Sequence, residues 1–162
     1  MSSMRHLAAR FVGSLWPGGP SAAAEAWVGE QLIPGERSLW RQMSGPDRRH
    51  AVGVARRVSA TLDERATRTV IAAALLHDVG KIESGLGTLG RVVATVGRRF
   101  ARIPLSRSMR RYLRHPSIGG SLLGRAGSDP LTVAWAIEHH LPHERWTLPP
   151  DLAAALKAAD GD

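Results

Sequence analysis

Residues 63–81 read DERATRTVIAAALLHDVGK, a strongly apolar stretch that ends in polar side chains. Its apolar residues recur at helical spacing and run into the adjacent pair His77-Asp78, and the pattern stops at Gly80. Glycine just after the last periodic residue is a common helix end. The stretch therefore predicts a buried helix over residues 63–78 with an imidazole and a carboxylate at its C-terminal end. The apolar positions are Val70, Ile71, Ala74 and Leu75.

The rest of the chain shows the same helical spacing, and no segment has the alternation that marks a strand. The predicted fold class is all-α, in one compact helical domain over residues 45–162 with an N-terminal helical extension over residues 1–44 that packs on it. Proline, glycine and capping residues place the helix ends. Besides 63–78, helices are predicted over residues 3–16, from 21, between 35 and 45, over 46–62, over 86–114 with a break at Pro104, and over 115–123, 129–140 and 149–160.

Composition narrows the classes of function. The 162 residues are 43% hydrophobic and 22% charged, as in a soluble globular domain, and they include no cysteine. Disulfides, zinc-thiolate sites and a cysteine nucleophile are excluded, so any metal must be held by His, Asp or Glu. No apolar run is long enough to span a membrane, and the first residues lack the apolar core of a secretion signal. We therefore expect a cytoplasmic protein without a transmembrane segment.

The formal net charge of +8 favours anionic partners without choosing among them. The basic residues are densest between residues 98 and 114, where they could steer an anionic substrate or simply form a solvated face. We expect a small phosphorylated partner and no sequence-specific binding of nucleic acid; the oligomeric state is not predicted. The arginines of this stretch are Arg98, Arg99, Arg102, Arg107, Arg110, Arg111 and Arg114.

The pair His77-Asp78 is a candidate metal site. A carboxylate at the C-terminal end of an apolar helix faces the negative end of the helix dipole and loses water, so Asp78 needs a nearby cation, which could be Lys81 or a metal. Several other histidines also fall at predicted helix ends, and Asp160 lies at the edge of the last apolar stripe. Imidazole and carboxylate ligands suit Mn, Fe, Co, Ni or Zn, and a carboxylate such as Asp78 can bridge two ions.

The order of these residues resembles the HD superfamily of metal-dependent phosphohydrolases. The resemblance covers residues 47–160, and the full series is far more specific than the His-Asp dipeptide alone. The series is His50, His77-Asp78 within LLHDVGK, His115-Pro116, His139-His140 and Asp160.

The resemblance implies a helical fold with one or two divalent transition-metal ions. One ion would lie among His50, His77, Asp78 and Asp160, and Asp78 would bridge to a second ion. The second ion would be held by His115, His139 and His140, although these three could instead face the substrate around a single ion. This binuclear pattern is similar to the HD-GYP phosphodiesterases, in which the lysine equivalent to Lys81 contacts substrate phosphate, and to the cyclic-nucleotide phosphodiesterases.

The sequence departs from the HD-GYP pattern after His139-His140, where residues 141–149 read LPHERWTLP without a Gly-Tyr-Pro element. A cyclic dinucleotide substrate is therefore not expected. The source of the proton for the leaving group is not predicted; the candidates are a metal-bound water, His143 and Glu144. Trp146 is the one tryptophan expected near the ligand site.

The resemblance implies a metal-dependent phosphohydrolase, a phosphatase or phosphodiesterase with Asp78 and Lys81 in catalytic roles. It would cleave a phosphomonoester or phosphodiester of a nucleotide or related metabolite with a metal-activated hydroxide. The alternative is a non-catalytic HD regulatory module that binds metal and a phosphorylated ligand. A third possibility is a nucleic-acid or membrane-surface binder driven by the basic stretch.

Overall fold

A computed structural model describes residues 18–85 and 106–161. These residues contain eight α-helices, three short 3₁₀ turns and no strand, which confirms the all-α prediction. The predicted helix over residues 3–16, the break at Pro104 and Arg98, Arg99 and Arg102 lie outside the described residues. The helices are α1 (Ala22–Gln31), α2 (Pro34–Gln42), α3 (Gly45–Leu62), α4 (Arg68–Leu76), α5 (Arg107–Leu113), α6 (His115–Ala126), α7 (Pro130–Glu138) and α8 (Pro150–Asp160). The 3₁₀ turns are Asp63–Arg65, Val79–Ser84 and His143–Arg145.

Side-chain caps explain where most helices begin. Ser21, Ser44 and Ser106 each accept a hydrogen bond from the backbone N–H three residues later, at 3.2–3.3 Å. Asp129 accepts one from the N–H of Leu131 at 2.9 Å. Such caps satisfy N–H groups that have no partner within the helix. The predicted starts near residues 21, 46, 129 and 149 agree with the structure.

The predicted helix over residues 63–78 is wrong at both ends. Asp63 takes a positive φ of 47°, and Thr67 caps a new helix by accepting from the N–H of Val70 at 3.5 Å. Helix α4 therefore begins at Arg68 and ends at Leu76, and the chain continues past Gly80 in the 3₁₀ turn Val79–Ser84. The predicted helix over 129–140 also ends early, at Glu138.

Helix α4 is the centre of the core. Each residue from Val70 to Leu76 is buried, and α4 packs against α1, α3 and α7. Burial of a leucine such as Leu75 or Leu76 contributes about 1.5–3 kcal/mol, so this helix fixes the position of the His77-Asp78 pair that follows it. None of the described helices is both long and apolar enough to cross a membrane.

The two N-terminal helices pack on the same core. Val28 of α1, Leu32 directly after α1 and Trp40 of α2 belong to the same hydrophobic cluster as the buried residues of α4. The carboxylate of Glu25 accepts hydrogen bonds from Trp40 Nε1 at 2.8 Å and from Arg48 at 2.9 Å, which joins α1, α2 and α3. The division of the chain into 1–44 and 45–162 stays a prediction.

Gly80 allows the 3₁₀ turn Val79–Ser84 to lie directly on α6. A Cβ at this position would overlap the carbonyl oxygen of His115 and lie 2.6 Å from the nitrogen of Gly119. Both neighbours are backbone atoms, so they cannot rotate away. Gly80 therefore sets the separation between Asp78 and His115.

We expect Gly80→Ala to lower the free energy of unfolding by about 3 kcal/mol, because the added methyl group must push α6 away from the turn. Gly124→Ala is the matched control, since the added methyl group would meet nothing within 4 Å. It should stabilise α6 by about 0.5–1 kcal/mol. Urea unfolding followed by circular dichroism measures both values. Equal stability of Gly80→Ala and wild type would contradict the close packing of the turn on α6.

Candidate metal centre

The structure brings all seven predicted ligand residues to one place. Six of them begin, end or directly follow a helix, and His50 lies within one. His50 belongs to the first half of α3, His77 and Asp78 follow α4, His115 begins α6, His139 and His140 follow α7, and Asp160 ends α8. The helix ends therefore meet at a single centre, which extends from the buried His77 and His139 to the partly buried His50 and the exposed His140.

Asp78 is the shared member of this cluster. Its Oδ1 lies 3.2 Å from His115 Nε2 and 3.6 Å from His139 Nε2, while its Oδ2 lies 3.5 Å from His77 Nε2. Lys81 Nζ forms an ion pair with the same Oδ2. Asp78 thus faces imidazoles with both oxygens, as a bridging carboxylate must.

The cluster divides into two groups whose potential ligand atoms all lie within 4.8 Å of one another. Asp160 Oδ1 adjoins the first group, at 2.9 Å from His50 Nε2 and 3.4 Å from His77 Nε2. Ligand atoms that share an ion at about 2.0–2.2 Å lie roughly 3.0–3.5 Å from one another, close to these separations. One group is His50, His77 and Asp78, and the other is Asp78, His115, His139 and His140.

Three imidazoles are oriented in the same way, by a contact between Nδ1 and a backbone carbonyl. The Nδ1 of His77 lies 2.9 Å from the carbonyl of Ala74, and that of His115 lies 2.7 Å from the carbonyl of Tyr112. His139 Nδ1 lies 3.0 Å from the carbonyl of Ala136. Each carbonyl is in the last turn of a helix, where the usual intrahelical N–H partner four residues later is missing. If Nδ1 carries the proton, each Nε2 presents a lone pair to the centre, as in metal-binding histidines.

The fit to a cation can be tested by the buried atoms without partners. Within residues 18–85 and 106–161, five atoms of the cluster are buried and lack a hydrogen-bond partner of normal geometry. When each Nδ1–H donates to a backbone carbonyl, the lone pair on each Nε2 faces carboxylate oxygens, and the two repel each other. A cation between them removes the repulsion, so the donor set fits a divalent metal. The five atoms are the Nε2 of His77, His115 and His139, Asp78 Oδ1 and Asp160 Oδ2.

The electrostatics of the first group favour positive charge. Burial opposes ionisation of the Asp78 carboxyl, but Lys81 and His77 hold its pKa well below the usual range. Burial likewise opposes charge on the His77 imidazole, yet Asp78 and Asp160 raise the pKa of His77 to about 9. The pKa of Asp160 is also lowered, by its contacts with His50 and His77. Two ionised carboxylates therefore favour a positive charge in this part of the core, which either a proton on His77 or a divalent cation beside neutral His77 would supply.

Two imidazoles of the second group, those of His139 and His140, favour the neutral form. Burial lowers the pKa of His139, although Asp78 acts in the opposite direction. His140 is exposed, but partial loss of water around its ring and the nearby imidazoles of His139 and His115 lower the pKa of His140. The rings of His139 and His140 lie 4.0 Å apart, and His140 is 5.2 Å from His115. Neutral imidazole is the form that binds a metal.

Several supporting residues were missed by sequence reasoning. Lys157 Nζ donates to the carbonyl of His139 at 3.0 Å, which ties α8 to the end of α7. Glu138 is buried and accepts from the backbone N–H and hydroxyl of Thr147, at 2.7 and 2.6 Å, which fixes the loop after His140. The one signal in the sequence is the acidic residue Glu138 directly before the double histidine, and this signal does not identify Thr147 as its partner.

Three further residues were predicted near the centre, and their contacts lie outside the ligand cluster: His143, Glu144 and Trp146. The side chains of His143 and Glu144 are 76% and 65% exposed and lie 3.2 Å apart. Trp146 Nε1 donates to the carbonyl of Leu141 at 3.1 Å, and its ring packs against Trp135. These contacts give Trp146 a structural role in the loop.

The fold and the site together define an all-helical protein with a buried histidine and carboxylate centre suited to divalent cations. A model of the HD domain family matches residues 48–161. Because this match spans more than half of the chain, the chain belongs to the HD domain family, as its motif order predicts. No curated protein and no solved structure matched the chain. The matched residues include every member of the predicted ligand series.

We expect Lys157→Met to weaken metal binding by about tenfold, because the end of α7 loses its tie to α8 and His139 is held less firmly. Isothermal titration of metal-depleted protein with Mn²⁺ measures the change. Lys157→Arg keeps a donor and should restore most of the affinity, which a purely structural loss would not predict. Unchanged affinity in Lys157→Met would show that this hydrogen bond does not position His139.

Proposed function

We propose that this protein is a metal-dependent phosphohydrolase that cleaves a phosphomonoester or phosphodiester of a nucleotide or related metabolite. The observation that carries the proposal is the buried cluster in which three Nε2 atoms converge on the shared carboxylate of Asp78. Membership of the HD domain family supports it. Two groups joined by one carboxylate suit two cations a few ångström apart.

The proposed ligand residues divide between two metal positions, one for each group of the cluster. Asp78 would contribute to both positions, because each of its oxygens faces a different group. Divalent cations held there supply Lewis acidity, which activates water and neutralises charge on a phosphoryl group. The first position comprises His50, His77, Asp78 and Asp160, and the second comprises Asp78, His115, His139 and His140.

The protein's own residues then orient the substrate and hold charge. Water supplies the oxygen that forms the new bond to phosphorus, the ester P–O bond breaks, and the departing oxygen takes a proton. Lys81 is 17% exposed and reaches the centre through its ion pair with Asp78, so its ammonium can stabilise the phosphoryl oxygens. The ring centroid of Tyr112 lies 6.0 Å from Lys81 Nζ.

Metal content tests this proposal first. Protein purified without chelator or affinity metal should contain close to two transition-metal ions per chain by mass spectrometry, because two ligand groups are present. Asp78→Ala should lose both ions, since both groups share this residue, and His139→Ala should lose about half. His143→Ala is the matched control, because its exposed imidazole lies outside both groups.

The same proteins are then assayed with p-nitrophenyl phosphate and bis(p-nitrophenyl) phosphate in Mn²⁺. Turnover by wild type that Asp78→Ala abolishes would support the hydrolase. Stoichiometric metal with no turnover of either compound would favour the regulatory HD module instead. A wild-type protein that neither contains nor takes up metal would contradict both.

Lys81→Met separates a catalytic role for Lys81 from a structural one. Removal of the ammonium from Asp78 takes away a positive charge that opposes metal binding, so affinity for Mn²⁺ should rise on the order of tenfold. Turnover should fall on the order of a hundredfold, because the phosphoryl oxygens lose a cation. Titration calorimetry and steady-state kinetics measure the two effects. If affinity and turnover both fell, Lys81 would act only by supporting the fold.

A further inference from the structure

The carboxylate of Asp160 is held by the end of helix α8. Within residues 18–85 and 106–161, its side chain contacts only other proposed ligands at hydrogen-bond or ion-pair distance. Oδ1 lies 2.9 Å from His50 Nε2 and 3.4 Å from His77 Nε2, and Oδ2 is buried without a hydrogen-bond partner. The position of this carboxylate therefore depends on how the backbone of the last turn of α8 is fixed.

Arg57 of α3 fixes that turn. Its Nε donates a hydrogen bond to the carbonyl oxygen of Ala159 at 2.7 Å. This carbonyl belongs to the peptide group that joins Ala159 to Asp160, and it lies in the last turn of α8, where carbonyl groups lack the usual intrahelical partner. A guanidinium suits the site because the C-terminal end of a helix is negative. The hydrogen bond therefore holds the backbone that carries Asp160.

One face of α3 supplies both contacts to α8. His50 and Arg57 are seven residues apart, which is two helical turns or about 10 Å, so their side chains leave the same side of α3. The guanidinium lies back along α3 in the direction of His50, since a Cβ built at Gly53 would be 3.4 Å from Arg57 Nη1. Helix α3 thus contacts consecutive residues of α8, Asp160 through His50 and Ala159 through Arg57.

We propose that Arg57 is a positioning residue that, through the carbonyl of Ala159, holds the Asp160 carboxylate where it can bind the cation of the first metal position. This inference rests on the proposed function and concerns one of its two positions. Lys157, also near the end of α8, donates instead to the carbonyl of His139, which belongs to the second group. The two basic residues therefore act on different ions.

Arg57→Met tests this role by calorimetric titration of metal-depleted protein with Mn²⁺. The affinity for one of the two ions should fall about tenfold, as is usual when a hydrogen bond that orients a metal ligand is lost. The affinity for the other ion should stay that of wild type. Removal of a positive charge near a cation would by itself strengthen binding, so weaker binding reports the loss of position and not the change in charge.

Arg56→Met is the matched control. It removes an exposed arginine from the adjacent position of α3 and changes the net charge equally, so neither ion should bind more weakly. Arg57→Lys keeps a cationic donor and should restore most of the lost affinity, which general loosening of the fold would not predict. All variants are titrated at a temperature at which circular dichroism shows the helix content of wild type, so that unfolding does not contribute.

Comparison with Lys157→Met shows whether the effect belongs to one position. Arg57→Met/Lys157→Met should weaken both ions, because each residue acts on a different one. Unchanged affinity in Arg57→Met, an equal fall for both ions, or an equal fall in Arg56→Met would overturn the inference.

The two proposals fail in different ways. Selective weakening of one ion in Arg57→Met without hydrolysis of bis(p-nitrophenyl) phosphate by wild type contradicts only the proposed function. Hydrolysis of that compound by wild type, with unchanged metal affinity in Arg57→Met, contradicts only the role of Arg57. A wild-type protein that takes up no Mn²⁺ contradicts both.

Discussion

The buried carboxylate of Asp78 is the constraint around which the structure is arranged. It is ionised in the core, next to the C-terminal end of α4, where both loss of water and the helix dipole oppose its charge. Its charge is tolerated because cationic and polar groups surround both oxygens. Lys81 and His77 face one oxygen, and His115 and His139 face the other. These groups lie at the ends of α4 and α7, at the start of α6 and in the 3₁₀ turn Val79–Ser84, so the packing of these elements determines their positions.

Helix ends serve this centre in a second way. Carbonyl groups in the last turn of a helix lack the usual N–H partner four residues later, and the Nδ1 atoms of three histidines in the cluster contact such carbonyls. α4, α5 and α7 each contribute such a carbonyl, from Ala74, Tyr112 and Ala136. The same contact satisfies the backbone and aims Nε2 at Asp78. Fold stability and ligand geometry therefore depend on the same hydrogen bonds.

This arrangement explains what could be predicted from the sequence. Capping residues such as Ser21 and Asp129 and helix-starting prolines such as Pro46 act locally, so most helix starts could be predicted. The ordered series of histidines and aspartates identified the family. The turn after Asp63 depends on one residue with positive φ and on the cap at Thr67, so it was missed. Lys157 was missed because its partner, the backbone carbonyl of His139, is distant in sequence and leaves no motif.

Burial of the charged groups at the centre has an unfavourable free energy, and burial of the strongly apolar core beside it offsets this. Two carboxylates and several imidazoles gathered away from water oppose folding, and buried ion pairs seldom return that cost in full. Residues 70–76 of α4 and Val79, which flank His77 and Asp78 in the chain, are buried and contribute hydrophobic free energy beside the centre. A bound cation would add to this because it binds only the folded arrangement of ligands. The apolar stretch and the polar residues that end it are thus two parts of one design, since neither the burial of Asp78 nor the geometry around it would persist without α4.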